Sequence, residues 1–191
     1  MKRTSRILEL AERLGLLLRA ERRRIGTETA LQPVHVQALQ YLARCNRYSN
    51  TPAALGAYLG QTKGTVSQSL KVMQRQGYLD KHEDPGDRRV VRLVLTPKGR
   101  SLLERVDPPG DWAAAERSLT PTQREAVATG LEALLRALQR AHGGRAFGVC
   151  TDCRHFQTDP SGAHRCGLTS EPLSEQESLL ICQDQEERIS A

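Results

Sequence analysis

The feature that most limits how this chain can fold is a change of hydrophobic period between residues 51 and 96, TPAALGAYLGQTKGTVSQSLKVMQRQGYLDKHEDPGDRRVVRLVLT. The first part repeats at helical spacing. Thr51 suits an N-cap and Pro52 the first helical position, and Leu55 and Leu59 face inward. A second helix begins at Gln61 or Thr62, with Val66, Leu70 and Met73 on its apolar side. Gly77 is placed to end it in a left-handed conformation. Two such helices joined by so short a turn predict a helix-turn-helix. The period then falls to that of strands: YLDKHE and RVVRLVLT flank DPGD, whose Asp, Pro and Gly favour a tight turn.

The flanks are helical. Residues 5–24 carry Ile7, Leu10, Leu14, Leu17 and Leu18 on one stripe, and Pro33 opens a helix with Val36, Leu39 and Leu42. Thr96-Pro97 restarts a helix, which DPPGD at 107–111 breaks. Thr120 and Gln123 form a capping box with Pro121 at the first position, ahead of Val127, Leu131, Leu134, Leu135 and Leu138. HGGR at 142–145 reads as a hinge. The expected fold class is mainly α with a small β-hairpin wing (α+β). The expected organisation is a helical dimerisation region (1–30 and 112–144), a winged helix-turn-helix (31–106) and a cysteine module (145–191). With 38% hydrophobic and 26% charged residues, the 191-residue chain is expected to be soluble. No run approaches the roughly 18 apolar residues of a membrane span. The basic N-terminus is interrupted by Glu9 and Glu12, unlike a signal peptide, so a cytoplasmic location is expected.

Charge is unevenly spread. Residues 61–100 hold nine Lys/Arg against four Asp/Glu, whereas 150–191 hold three against eight. The first segment suits a polyanion and the second would avoid one. The polar face of the second helix presents Thr62, Lys63, Thr65, Ser67, Gln68 and Lys71. Gln and Lys bond base edges, and Thr and Ser reach bases or phosphates. The hairpin adds Arg88, Arg89 and Arg92. An arginine at a hairpin tip suits a minor groove, and Asp87 is placed to hold the tip in shape.

Residues 33–103 resemble the MarR family of winged helix-turn-helix regulators. GYLDKHEDPGDRR and LTPKGR correspond to the most specific part of that family's signature. The resemblance implies a homodimer on double-stranded DNA with a pseudo-palindromic operator, and a helix at 63–76 in the major groove. It also implies that Asp87 and Arg89 take the wing positions of the family's Asp-x-Arg motif, and that residues 5–24 and 120–142 form the dimer interface. A small-molecule effector is a further expectation. One departure is DPPGD, which interrupts a helix usually long in the family and predicts a bent or flexible leg.

Four of the five cysteines lie in the last part of the chain, as Cys150-x2-Cys153-x12-Cys166-x15-Cys182. A CxxC loop brings two thiolates to one metal centre, and two more complete a four-thiolate set. A short acidic tail with few apolar residues can hardly form a core alone, and a metal would supply the missing stability. Three readings are open. Zinc ribbons use two paired knuckles, and here only the first pair has that form. An iron–sulfur cluster spans more space and suits ligands spread singly along loops. A Cys150–Cys153 thiol switch leaves Cys166 and Cys182 unexplained.

The two phenylalanines, Phe147 and Phe156, flank the CxxC and are expected to exclude water from the site. CTDCRHFQTDPSGAHRCGL…ICQD also resembles small high-potential-type iron–sulfur modules. That resemblance implies a cluster, [4Fe–4S] ahead of [2Fe–2S], with one zinc ion as the alternative. Cys45 is expected in the core, Trp112 as a packing anchor, and His155 and His164 in exposed loops. No nucleophile–base pair, phosphate loop or carboxylate pair stands out, so no enzymatic activity is expected. The combined expectation is a regulator whose cluster, sensing redox state, oxygen or iron, orders residues 145–185 against the dimerisation helices and so sets operator affinity.

Overall fold

The computed structural model describes residues 5–106, 110–141 and 147–188. Of the break expected at 107–111, residues 107–109 lie outside them, as does the hinge at 142–145, while Gly110 and Asp111 open a helix. The order is α1 (Arg6–Thr29), α2 (Pro33–Arg44), α3 (Pro52–Leu59), α4 (Lys63–Arg75), β1 (Leu79–Glu83), β2 (Val91–Leu95), α5 (Pro97–Val106), α6 (Gly110–Ser118) and α7 (Pro121–Ala141). A small-stranded segment follows: β3 (Gly148–Val149), a 3-10 turn at Cys150–Asp152, β4 (Phe156–Thr158), β5 (His164–Cys166), β6 (Pro172–Leu173), α8 (Glu175–Ser178) and β7 (Ile181–Cys182). The architecture is thus mainly helical with three small antiparallel sheets. Among the described residues, no helix is long and apolar enough to cross a membrane.

One core holds the winged part together. Val36, Leu39 and Tyr41 of α2 meet Leu55 of α3, Leu70 and Met73 of α4, Leu79 and Leu93 of the hairpin, and Leu102 of α5. The helix starts follow the local chemistry. Thr51 accepts the Ala54 N–H at 3.2 Å, and Thr62 accepts the Thr65 N–H at 3.3 Å. Each satisfies a donor that a helix N-terminus would otherwise leave unpaired. Thr120 and Gln123 form the reciprocal box that starts α7.

The LTPKGR stretch closes the other end of α4. Gly77 takes φ 73°, and its carbonyl accepts from Thr96 Oγ1 at 2.6 Å. Lys98 Nζ donates to the Gln76 carbonyl at 2.8 Å. Gly99 is required by contact: a Cβ there would stand 2.2 Å from the Tyr78 carbonyl oxygen.

Helix α6 and the five strands of the last segment escaped the sequence reading. Helix α6 is short and carries no apolar stripe, so no periodic signal marks it. Trp112, expected as an anchor, stands on it 37% exposed. The strands of the last segment, two or three residues long, are too short for alternation to show.

The leucine stripes of α1 and α7 stay uncovered. Ile7, Leu10, Leu14 and Leu17 are exposed, as are Val127, Leu131, Leu135 and Leu138, and α7 buries none of its described residues. Only the last turns of α1, at Ile25 and Gly26, reach the core.

Gly99→Ala forces backbone apart at the junction of α4, β2 and α5. It is expected to destabilise the fold by about 1–3 kcal/mol, read as a lower urea midpoint with an unchanged slope. An unaltered midpoint would mean that the close approach at Tyr78 is not maintained in solution.

Candidate nucleic-acid interface and cysteine centre

Helix α4 turns Val66, Leu70 and Met73 into the core and leaves Thr62, Lys63, Thr65, Ser67, Gln68 and Lys71 exposed on the other side. Two of these have local duties as well. Thr62 caps the helix, and its hydroxyl lies 3.0 Å from that of Thr65. The wing loop is stiffened by carboxylates. Asp84 accepts the N–H groups of Gly86 (2.8 Å) and Asp87 (3.1 Å). Asp87 takes Arg89 in a two-point grip, Nε to Oδ1 and Nη2 to Oδ2, each at 2.9 Å. The Arg89 guanidinium holds the Asp87 carboxyl below the usual carboxylate range. Arg88 stands exposed beside it.

Arg92 of β2, opposite His82, points back toward the core, with Nε 2.6 Å from Asp84 Oδ2 and Nη1 2.6 Å from the Arg47 carbonyl oxygen.

The four distant cysteines come together. Cys150 opens the 3-10 turn and Cys153 closes it, its N–H donating to the Cys150 carbonyl at 2.9 Å. Cys166 ends β5 and Cys182 ends β7. All four line one small void of about 20 Å³, walled also by Phe156, Leu168 and Leu173. Among the described residues, no three His, Cys, Asp or Glu side chains converge on a position for one metal ion.

The Cys150 thiol donates to Cys182, which lowers the Cys182 pKa and raises that of Cys150. Burial pushes the Cys45 thiol up to about 12. As expected, Cys45 belongs to the core. His155 lines the void, its Nε2 3.4 Å from Glu186, while His164 packs on the Phe156 ring at 4.9 Å.

Phe147 departs from expectation. Only Phe156 walls the cysteine void, and Phe147 packs edge-on against Tyr58 (5.3 Å) and Tyr41 (6.2 Å). It plugs the module into the winged core, in a left-handed conformation (φ 48°) that a bulky residue rarely adopts.

The seam between module and core was not legible in the sequence. Asn46 is 1% exposed, in the loop that follows α2. Its Nδ2 donates to Cys150 Sγ at 3.5 Å, and its Oδ1 accepts from Ser49 Oγ at 2.7 Å and from Tyr48 N at 3.2 Å. Its backbone N–H donates to the Ile181 carbonyl at 2.9 Å. Ser49 Oγ accepts from the Gln183 N–H at 2.8 Å. Outside this buried set, Arg47 bridges to Glu177 (2.6 Å) and Glu171 (3.1 Å), so acidic groups of the module meet a basic residue of the core. A lone buried Asn among polar letters has no periodicity to announce it.

The module was expected to pack on the dimerisation helices. Its buried polar seam is instead with the loop after α2. Helix α7 meets it through the exposed pairs Arg136–Asp152 and Arg140–Glu187.

A short helix, a tight turn, an exposed polar helix and a braced two-stranded wing define a winged helix-turn-helix. Residues 31–90 match the family model described as MarR family. Over 72 residues the chain is 31% identical to the transcriptional repressor MprA of Escherichia coli K12, covering 38% of this chain and 41% of that protein. The chain spans about half, or less, of the length of the curated relatives it matches.

Among solved structures, a MarR transcriptional regulator from Methanosarcina mazei Go1 superposes with a TM-score of 0.59 at 21% identity, over 71% of this chain and 97% of that one. The Staphylococcus aureus MepR–DNA complex gives 0.57 at 18% identity, over 71% and 99%. These neighbours share the fold and are matched almost end to end, so part of this chain has no counterpart in them.

In metal-free protein near neutral pH, iodoacetamide is expected to alkylate Cys182 well before Cys45. The lowered Cys182 pKa supplies thiolate there and the raised Cys45 pKa withholds it. Peptide mass spectrometry over a time course reads the order. Modification of Cys45 first would contradict the thiol pairing.

Proposed function

We propose that the chain is a DNA-binding transcriptional regulator of the MarR type, and not an enzyme. It acts as a homodimer on a pseudo-palindromic operator. Its DNA affinity is set by an iron–sulfur cluster on Cys150, Cys153, Cys166 and Cys182, so redox state, oxygen or iron is the signal.

The observation that carries the DNA reading is the exposed face of α4 beside a wing whose Asp87–Arg89 grip fixes its tip. Lys63, Gln68 and Lys71 face outward from a helix that can enter a major groove, with Thr65 and Ser67 beside them and Thr62 at its N-cap. Arg88 and Arg89 are set to reach the adjacent minor groove. The similarity to a named repressor and to a protein solved on DNA supports the same reading.

The bare leucine stripes support the dimer. A long helix that buries nothing of itself gains little stability from propensity alone. A second copy covering α1 and α7 removes that exposed apolar area from water.

One feature supports a cluster. The walls are apolar, and exclusion of water is what tunes a redox centre. When bound, the cluster supplies a centre that oxygen or iron shortage can remove. The chain's own contribution is the four thiolates, the Phe156, Leu168 and Leu173 wall that keeps water out, and the Asn46 amide that donates to sulfur.

A second reading has one observation in its favour. An open cleft of about 470 Å³ lies between α2, β2 and α5, lined by Leu42, Leu93, Leu103, Arg100 and Glu104 among others. It suits a small-molecule effector, with the cysteines then holding structural zinc.

Anaerobically purified full-length protein is expected to be brown, with iron and acid-labile sulfide in the same sample. Colourless protein with one zinc per chain would move the reading to the effector. Fluorescence anisotropy on a duplex selected from a random pool is expected to show affinity that falls steeply with salt. Arg89→Ala and Lys71→Ala should each cost about 1–3 kcal/mol of binding. A flat salt response and unaffected variants would remove α4 and the wing as the contact surface.

A further inference from the structure

We infer that the loop at 45–50, centred on Asn46, passes the state of the cysteine centre directly to the DNA-reading head. This rests on the reading that the four cysteines hold a cluster, and it names the route by which that cluster acts.

The loop is tied on both sides. Toward the cysteines, Asn46 Nδ2 donates to Cys150 Sγ. The two residues that bracket Cys182 are held as well: the Ile181 carbonyl by the Asn46 N–H, and the Gln183 N–H by Ser49 Oγ. Toward the reading head, the Ser49 carbonyl accepts the Tyr41 hydroxyl at 2.8 Å in the middle of the core. The Asn50 carbonyl accepts the Leu93 N–H of β2 at 2.7 Å. Arg92 of the wing donates to the Arg47 carbonyl, and Thr51, the next residue, caps α3. One loop therefore touches the Cys150 sulfur, the first helix of the helix-turn-helix and the base of the wing.

The Cys150 sulfur that would hold the centre accepts from the buried Asn46 amide, so the loop is in direct contact with an atom whose surroundings change when the centre is loaded or lost. Asn46 is buried and bonded through both ends of its side chain, so its amide cannot follow the sulfurs without moving Ser49 and Tyr48. Interiors this close-packed transmit such a shift rather than absorb it. By linkage, whatever the loop does to DNA affinity, DNA does to the stability of the loaded centre.

The test uses full-length protein, loaded anaerobically or stripped with a chelator, on the duplex selected by the wild type. Wild-type affinities for the two forms should differ by about 5–150-fold, the usual span of a coupling. Ser49→Ala touches no sulfur but cuts the link between Asn46 and Gln183. It should keep its iron and sulfide while the two affinities converge to within about 2-fold.

A Ser49→Ala protein that keeps both the cluster and the full wild-type difference overturns the inference and leaves the cluster reading standing. A wild type without iron and sulfide overturns the cluster reading and this inference with it. Should Ser49→Ala fail to fold by circular dichroism, Asn46→Ala decides. Loss of its hydrogen bond to sulfur should lower the reduction potential of the centre as well as the affinity difference. An unchanged potential and an unchanged difference in that variant overturn the inference.

Discussion

The buried side chain of Asn46 must have every polar atom satisfied, and the joining of the two halves of this molecule follows from that demand. Leaving such an amide unpaired inside a protein costs about 1–3 kcal/mol. Its partners are a sulfur from one segment and a hydroxyl and a backbone N–H from another. Only one placement of the cysteine module on the winged core meets all of these at once. The ion pairs of Arg47 lie outside this set and are exposed, where each contributes about 0–1 kcal/mol. They steer the acidic segment to a basic seam, and the buried bonds fix it there.

A second constraint is what the chain leaves undone. Its winged core is closed by caps and by the LTPKGR stretch, but α1 and α7 present rows of leucine to solvent. The same chain therefore holds one part that is complete alone and another whose apolar rows stand exposed. The cysteine module belongs to neither class. Its strands are too short to make a core, and its apolar wall closes around four sulfurs rather than around itself. The seam at Asn46 holds it to the winged core.

Much of the winged core was legible because its signals are local. A Thr three residues before the N–H it accepts, a Pro at the first helical position, and a Gly where φ must be positive act within one turn of chain. So the starts at Thr51, Thr62 and Thr120, and the end at Gly77, could be read off. The outward face of α4 followed from the inward one. Letters do not tell which of the three hairpin arginines points back: Asp84 and the Arg47 carbonyl, 8 and 45 residues away from Arg92, decide that. Phe147 was misplaced for a similar reason. Nearness in sequence to Cys150 suggested nearness to its sulfur, whereas two tyrosines of α2 and α3 hold the ring.

The sequence by itself determined the order of α1 to α5, the hairpin and α7, the polar and apolar faces of those helices, and the spacing of the four cysteines. The helices and the hairpin depend on residues a few positions apart, where spacing and geometry are one thing. The tertiary structure alone decided that the four sulfurs share one void, that Phe156 walls it and Phe147 does not, and that the module sits on the loop after α2 rather than chiefly on α1 and α7. Those outcomes depend on pairing polar atoms more than 100 residues apart, Asn46 with Cys150 and Ser49 with Gln183. Such pairings leave no periodic trace along the chain, because they are selected by the cost of burying an unpaired group once the chain has folded.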